Sequence, residues 1–181
     1  MTSSDIKRIF HIEDIMNLPQ AVNQVLFSAE RDDVYRELIR IHQGDMSYDW
    51  FQSLYEQELS QRNQKKQDFT PSTLGLICSQ IVGEHNSVHE PTAGNGSMII
   101  QDWWNKMSSV FPWETQFIPY YVDCWELSDR SMALLLWNLS IRGINARVHH
   151  GDVLTQEEKE VYLLKSEDPL SFSNIIKNKI I

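Results

Sequence analysis

Gly94 and Gly96 stand one residue apart in the stretch His89-Glu90-Pro91-Thr92-Ala93-Gly94-Asn95-Gly96-Ser97, between a short apolar run, Ser87-Val88, and a helix-like segment, Met98 to Met107. Strand, tight turn and helix in that order constrain the chain to an α/β arrangement. Backbone N–H groups at the helix start then face a ligand past residues that carry no Cβ. Such a turn suits the close approach of a nucleotide-like molecule. A Gly-x-Gly pair alone is equally compatible with an ordinary loop, so its neighbours decide.

The neighbours repeat the alternation. A helix over Met98 to Val110 is ended by Phe111-Pro112-Trp113, and a strand is expected over Phe117 to Cys124. Ser128 is a good N-cap for a second helix, whose Met132, Leu135, Leu136 and Leu139 make an apolar face until Gly143 stops it. A third strand, Ala146 to His149, runs into His150-Gly151-Asp152-Val153-Leu154. In a strand–helix–strand unit of this kind, an acid at the end of the second strand accepts the hydroxyls of a ribose. Glu126 is so placed, with Asp123, of opposite parity, as its rival; Trp125 either flanks a base or packs. Ahead of the glycine turn, Asp68-Phe69-Thr70-Pro71 has a helix-start signature, with Thr70 as N-cap and Pro71 at the first helical position. The apolar Leu74, Ile77, Cys78 and Ile81 follow.

In this order and spacing the stretches resemble motifs X, I, II and III of the N6-adenine DNA methyltransferases, particularly the modification subunits of type I restriction systems. The resemblance covers about residues 60 to 178. It implies an α/β fold, a curtailed S-adenosylmethionine-dependent methyltransferase (Rossmann-like) sheet of three or four parallel strands after an N-terminal helical segment. Residues 1–66 are expected to form that segment and residues 67–181 the cofactor-binding domain. The implied cofactor is S-adenosylmethionine. By motif, Phe69, Thr70 and Pro71 would line its methionine end, Glu90, Thr92, Gly94, Gly96 and Ser97 would form the glycine loop, Glu126 would meet the ribose, and Asp152 and Leu154 the adenine.

The resemblance fails at the catalytic motif. In the family the fourth strand runs into Asn or Asp, two prolines and an aromatic, which hold the amino group of the flipped target adenine and stack on its ring. Phe172-Ser173-Asn174-Ile175-Ile176 has the pattern of that strand, and Asn178 resembles the motif's first residue, but both prolines and the aromatic are missing. The expectation is a methyltransferase-like chain that does not transfer a methyl group alone. The alternative is a mobile-element protein that mimics a modification subunit and inhibits a host restriction or other defence complex.

Charge bears on partners. The formal net charge is −9, whereas a protein that holds DNA through its phosphates presents a basic surface, so weak or no DNA binding alone is expected. The basic cluster Arg62 to Lys66 reads either as a solvated helix end or as a phosphate contact. No run approaches the roughly 18 apolar residues of a membrane helix, and Met1 to Arg8 is polar, so the expected compartment is the cytoplasm, without a membrane. Cys78 and Cys124 read as buried free thiols, and no Cys or acid completes a metal ligand set around His149 and His150.

The first 65 residues read as helices over Ile12 to Ala29 with a break near Pro19, Asp32 to His42 closed by Gly44, and Tyr48 to about Lys65, with Trp50, Phe51, Leu54 and Leu59 as core. No chemistry is expected there. A fourth strand with Ile175-Ile176 and Ile180-Ile181 would leave an apolar edge, which predicts a homodimer or a hetero-complex through Phe172 to Ile181.

Overall fold

The computed structural model describes residues 2–52, 54, 72–111, 114, 119–167 and 171–178. Its elements are α1 (Ser3–Ile9), a single 3-10 turn (Ile15–Asn17), α2 (Leu18–Leu26), α3 (Arg31–Ile41), α4 (Ser72–Val82), β1 (Ser87–Glu90), α5 (Ser97–Ser108), β2 (Tyr121–Glu126), α6 (Asp129–Ile141), β3 (Asn145–Asp152), β4 (Glu157–Lys165) and β5 (Asn174–Asn178). No helix among the described residues is long and apolar enough to cross a membrane.

The five strands form one sheet in the order β1-β2-β3-β4-β5. The first three are parallel, β4 runs antiparallel to β3, and β5 antiparallel to β4. The fold is α/β as expected, but the sheet is mixed and five-stranded where three or four parallel strands were expected. Connection length gives the reason. A parallel crossover needs a dozen or more residues, and β4 follows β3 after the turn Val153 to Gln156. It must therefore fold back as a hairpin. The same holds for the short link into β5. That strand forms from the segment expected to be strand four, yet it lies at the far edge of the sheet from β1.

The hairpin also explains Gly151. A register shift falls between His150 and Gly151, and a Cβ at Gly151 would collide with the carbonyl of Glu157. Glycine marks a bulge where two backbones close in.

One hydrophobic cluster holds the molecule together. Its strand residues, Val122, Cys124, Ala146, Val148, Tyr162 and Leu164, all project from one face of the sheet. Against that face lies α6, buried from Ser131 through Ile141. A helix buried all round needs a layer outside it, and α1 to α3 supply it. Trp137 of α6 meets Phe10 at 5.3 Å, Tyr35 at 4.5 Å and Phe51 at 6.1 Å between ring centroids, all edge-on. The N-terminal helices and the sheet thus share a core. Trp125 and Val161 are buried on the opposite face, outside this cluster.

The helical segment departs from the expected boundaries. Pro19 lies in the first turn of α2, where its missing N–H costs nothing, and does not break a longer helix. Asp14 caps the 3-10 turn before it through the Met16 N–H at 2.9 Å. α3 ends as expected, with the Gly44 N–H closing back on the Ile39 carbonyl at 2.9 Å. Most of the helix expected over Tyr48 to Lys65, and Arg62 to Lys66, lie outside the described residues, although Trp50, Phe51 and Leu54 are buried.

In α4 the sense of the apolar stripe is reversed. Leu74, Ile77, Ile81 and Val82 are exposed. The helix turns its small and polar side inward, where a Cβ on Gly75 would press on Gln101 of α5 and Ser79 accepts a hydrogen bond from Asn105 Nδ2 at 3.1 Å. Cys78 is accordingly half-buried, whereas burial pushes the Cys124 thiol pKa up.

Candidate functional site

The C-terminal ends of parallel strands are where α/β sheets accept ligands, and β1, β2 and β3 end side by side. From β1 the chain turns through residues 91–96. The Ala93 N–H donates to the Trp125 carbonyl at 2.8 Å, continuing the β1–β2 ladder by one rung, and the Gly96 N–H closes on the Ala93 carbonyl at 2.8 Å. Gly94 and Gly96 both take left-handed backbone angles, with φ of 57° and 88°. Their surroundings differ. A Cβ at Gly96 would lie 2.9 Å from Leu135 Cδ1, so that glycine lets the loop seat on α6. A Cβ at Gly94 would meet nothing within 4 Å, so the loop is open there.

Glu126 ends β2 beside this opening. One carboxylate oxygen accepts the Gly94 N–H at 2.8 Å and the other the Ser128 N–H at 2.8 Å. Of the two acids weighed from sequence, Glu126 is the one at the loop. Asp123 faces the other side of the sheet, where it meets His89 Nδ1 at 3.0 Å and His149 Nε2 at 3.4 Å. Trp125 packs there too, stacked on the His149 ring at 4.4 Å and 6°. His149 is further held by Glu158, while His150 pairs with Asp129 at 2.9 Å. The histidines thus serve opposite faces of β3.

The remaining expected residues fall as follows. Glu90 is the last residue of β1 and accepts the Thr92 N–H at a long 3.5 Å. Ser97 opens α5, and its hydroxyl donates to Gln52 Oε1 at 3.3 Å. Asp152 ends β3 and accepts the Leu154 N–H at 2.9 Å, steadying the hairpin turn; Leu154 itself is exposed. Glu90, Gly94, Glu126 and Asp152 therefore share one rim, formed by three adjacent strands. Asn178 does not. It ends β5 opposite Val161, two strand spacings from β3, or roughly 10 Å at about 4.8 Å each. Phe69, Thr70 and Pro71 lie outside the described residues.

The rim is acidic. Glu90, Glu126 and Asp152 end its strands, and the neighbouring Lys159 ammonium is paired with Asp129 at 2.9 Å. Such a rim repels a phosphate chain and favours a cationic ligand with hydroxyls to donate.

Sequence reasoning missed what lies beneath the loop. The Asn95 side chain donates to Asp49 at 3.3 Å, and its carbonyl accepts from Asn138 Nδ2 at 2.9 Å. A signal was available, since Asn138 and Arg142 are polar residues four apart at the end of a helix that is apolar from Met132 to Trp137.

A family model described as N-6 DNA Methylase matches residues 46–179. No curated protein and no solved structure matches.

Proposed function

Because the chain belongs to the N-6 DNA methylase family, we propose that it holds S-adenosylmethionine at the rim of β1, β2 and β3 and that, by itself, it does not transfer the methyl group. The observation that carries this reading is the convergence of the Gly94 N–H and the Glu126 carboxylate at 2.8 Å beneath the opening over Gly94. The residues fit that cofactor. A carboxylate offers about four lone-pair sites, so Glu126 keeps its two backbone hydrogen bonds and still accepts two ribose hydroxyls. The open side of Gly94 admits the ligand against the backbone. The acidic rim suits a molecule whose ammonium and sulfonium are cationic and disfavours nucleotides that carry phosphates. When bound, S-adenosylmethionine supplies an electrophilic methyl group on its sulfonium.

Asp152, Leu154, Glu90, Thr92, Gly96 and Ser97 complete the pocket in this reading, with Phe69, Thr70 and Pro71 at the methionine end. Transfer then depends on groups this chain does not offer at the rim: no Asn/Asp-Pro-Pro-aromatic stretch occurs in its sequence, and Asn178 ends β5, two strands beyond β3. Isothermal titration with S-adenosylmethionine tests the reading. We expect saturable heat from the wild type, loss of it in Gly94→Val with the melting transition retained, and weaker binding in Glu126→Gln. Labelled methyl should not pass to adenine in duplex DNA. No heat from the wild type, or equal affinity in Gly94→Val, would overturn the cofactor reading.

A second reading is favoured by the exposed stripe Leu74, Ile77, Ile81 and Val82 of α4. Exposed apolar patches mark docking surfaces, and an acidic relative of a modification subunit that docks without catalysing inhibits the complex it enters. Here S-adenosylmethionine is irrelevant. Expression in a host with a type I restriction system should raise plating of unmodified phage, and Ile77→Lys with Ile81→Lys should abolish the effect.

A further inference from the structure

The segment Met46 to Gln52, which precedes the glycine loop by more than forty residues, lies directly against it. Asp49 is buried. One of its oxygens accepts the Phe51 N–H at 3.0 Å and the other faces Asn95 Nδ2 at 3.3 Å. Two further contacts join the same stretches: Ser97 Oγ to Gln52 Oε1 at 3.3 Å and Gln101 Nε2 to the Ser47 carbonyl at 2.5 Å. From the other side Asn138 Nδ2 donates to the Asn95 carbonyl at 2.9 Å.

Arg142, one helical turn beyond Asn138, ties the segment down. Its guanidinium donates to the carbonyls of Met46 at 3.0 Å, Tyr48 at 2.6 Å and Asn138 at 2.9 Å, and it lies over the Trp50 ring at 5.5 Å. It is buried as well. Two buried charged residues in a core that apolar side chains could fill more cheaply call for a reason other than stability. The loop above supplies one. A turn with two left-handed glycines has many conformations to choose from, and Asn95 between them is gripped from both sides.

We propose that Asp49 is a positioning residue for the glycine loop: through Asn95, and with Asn138, it selects the loop conformation in which the Gly94 N–H points at Glu126. The inference rests on the reading of this loop as the ligand-binding turn, and it makes the N-terminal helical segment part of the site. Its effect on a ligand is preorganisation, which strengthens binding without contact.

Amide hydrogen exchange on the full chain tests it without any ligand. In Asp49→Ala the amides of Gly94 to Ser97 should exchange about tenfold faster, the size expected for losing a hydrogen bond to a charged group. Exchange in the β4–β5 hairpin should not change. Asp49→Asn, which keeps the shape and an acceptor for the Phe51 N–H and donates its Nδ2 to the Asn95 amide once that amide turns its oxygen inward, should restore most of the protection. Loop exchange at the wild-type rate in Asp49→Ala, or acceleration that is equal throughout the molecule, would overturn the proposal. If Asp49→Ala does not fold, Asn95→Ala breaks the same contact from the loop side and is judged by the same criterion. Where the wild type binds S-adenosylmethionine, the dissociation constant should rise about tenfold with the loop exchange. Where it gives no heat while loop exchange still responds to Asp49→Ala, the cofactor reading fails and the positioning role stands.

Discussion

Asp123 and Glu126 are three residues apart, and that odd spacing decides which acid belongs to the rim. Side chains alternate along a strand, so Asp123 and Trp125 go to one face and Glu126 turns to the loop side with Cys124. The sequence carried the parity but not which face held the loop, and only the crossover through α5 settles that. His42 shows a different limit of pattern reading. Its ring stacks on Trp50 at 4.3 Å and 3°, and burial lowers its pKa from 6.5 to about 4. The folded state therefore binds this proton less readily than the unfolded chain. The stability it contributes is complete above pH 6.5 and is lost progressively as pH falls from 6.5 toward 4. Urea midpoints of wild type and His42→Phe, measured side by side, should keep a constant difference above pH 6.5 and shift against the wild type below it. A difference that is flat down to pH 4 would show that the ring is not shielded.

At the scale of elements, the β1–α5–β2–α6–β3 succession was legible because each boundary has a local cause: the glycine turn, the Ser128 cap with its hydroxyl accepting the Ser131 N–H at 3.4 Å, and alternating strands. β4 was not legible. Its first half, Glu157 to Glu160, is charged and reads as a solvated run, and it becomes a strand only because β3 offers an antiparallel edge four residues away. α4 was legible as a helix, but the direction of its stripe was not, since periodicity tells which residues share a face and never what that face meets. β5 makes this distinction measurable. Ile175 pairs with Leu164 and packs on the core, whereas Ile176 pairs with Leu163 and is exposed. Ile175→Lys should cost at least about 2 kcal/mol, from lost packing and a charge forced inward. Ile176→Lys, measured at a concentration where the chain is monomeric, should stay within about 0.5 kcal/mol. Chemical denaturation of the two variants checks this, and equal losses would mean that the strand's facing is wrong.

For the whole molecule the decisive feature is that the sheet keeps two edges among the described residues, β1 and β5. Edges are managed by charge, shortness or cover. β1 is short, four residues ending in His89-Glu90, and a parallel strand left at an edge with both faces partly exposed is uncommon, because parallel sheets are normally buried. β5 has Lys177, paired with Glu160, beside its exposed Ile176. One edge is thus guarded by a charge pair, while α4, which has no charged residue, turns Leu74, Ile77, Ile81 and Val82 outward. A chain of net charge −9 repels its own copies over most of its surface, so association has to use a face where charge is absent or paired. The sequence pointed to Phe172 to Ile181 for this role, and β5 remains the edge on which the expectation rests, with α4 and β1 as the competing face. Light scattering at micromolar concentration should therefore give a dimer. Ile176→Lys should dissociate it if β5 is the interface, and Ile77→Lys with Ile81→Lys if α4 is. A monodisperse wild-type monomer, unchanged by either set, would show that neither face recruits a second copy.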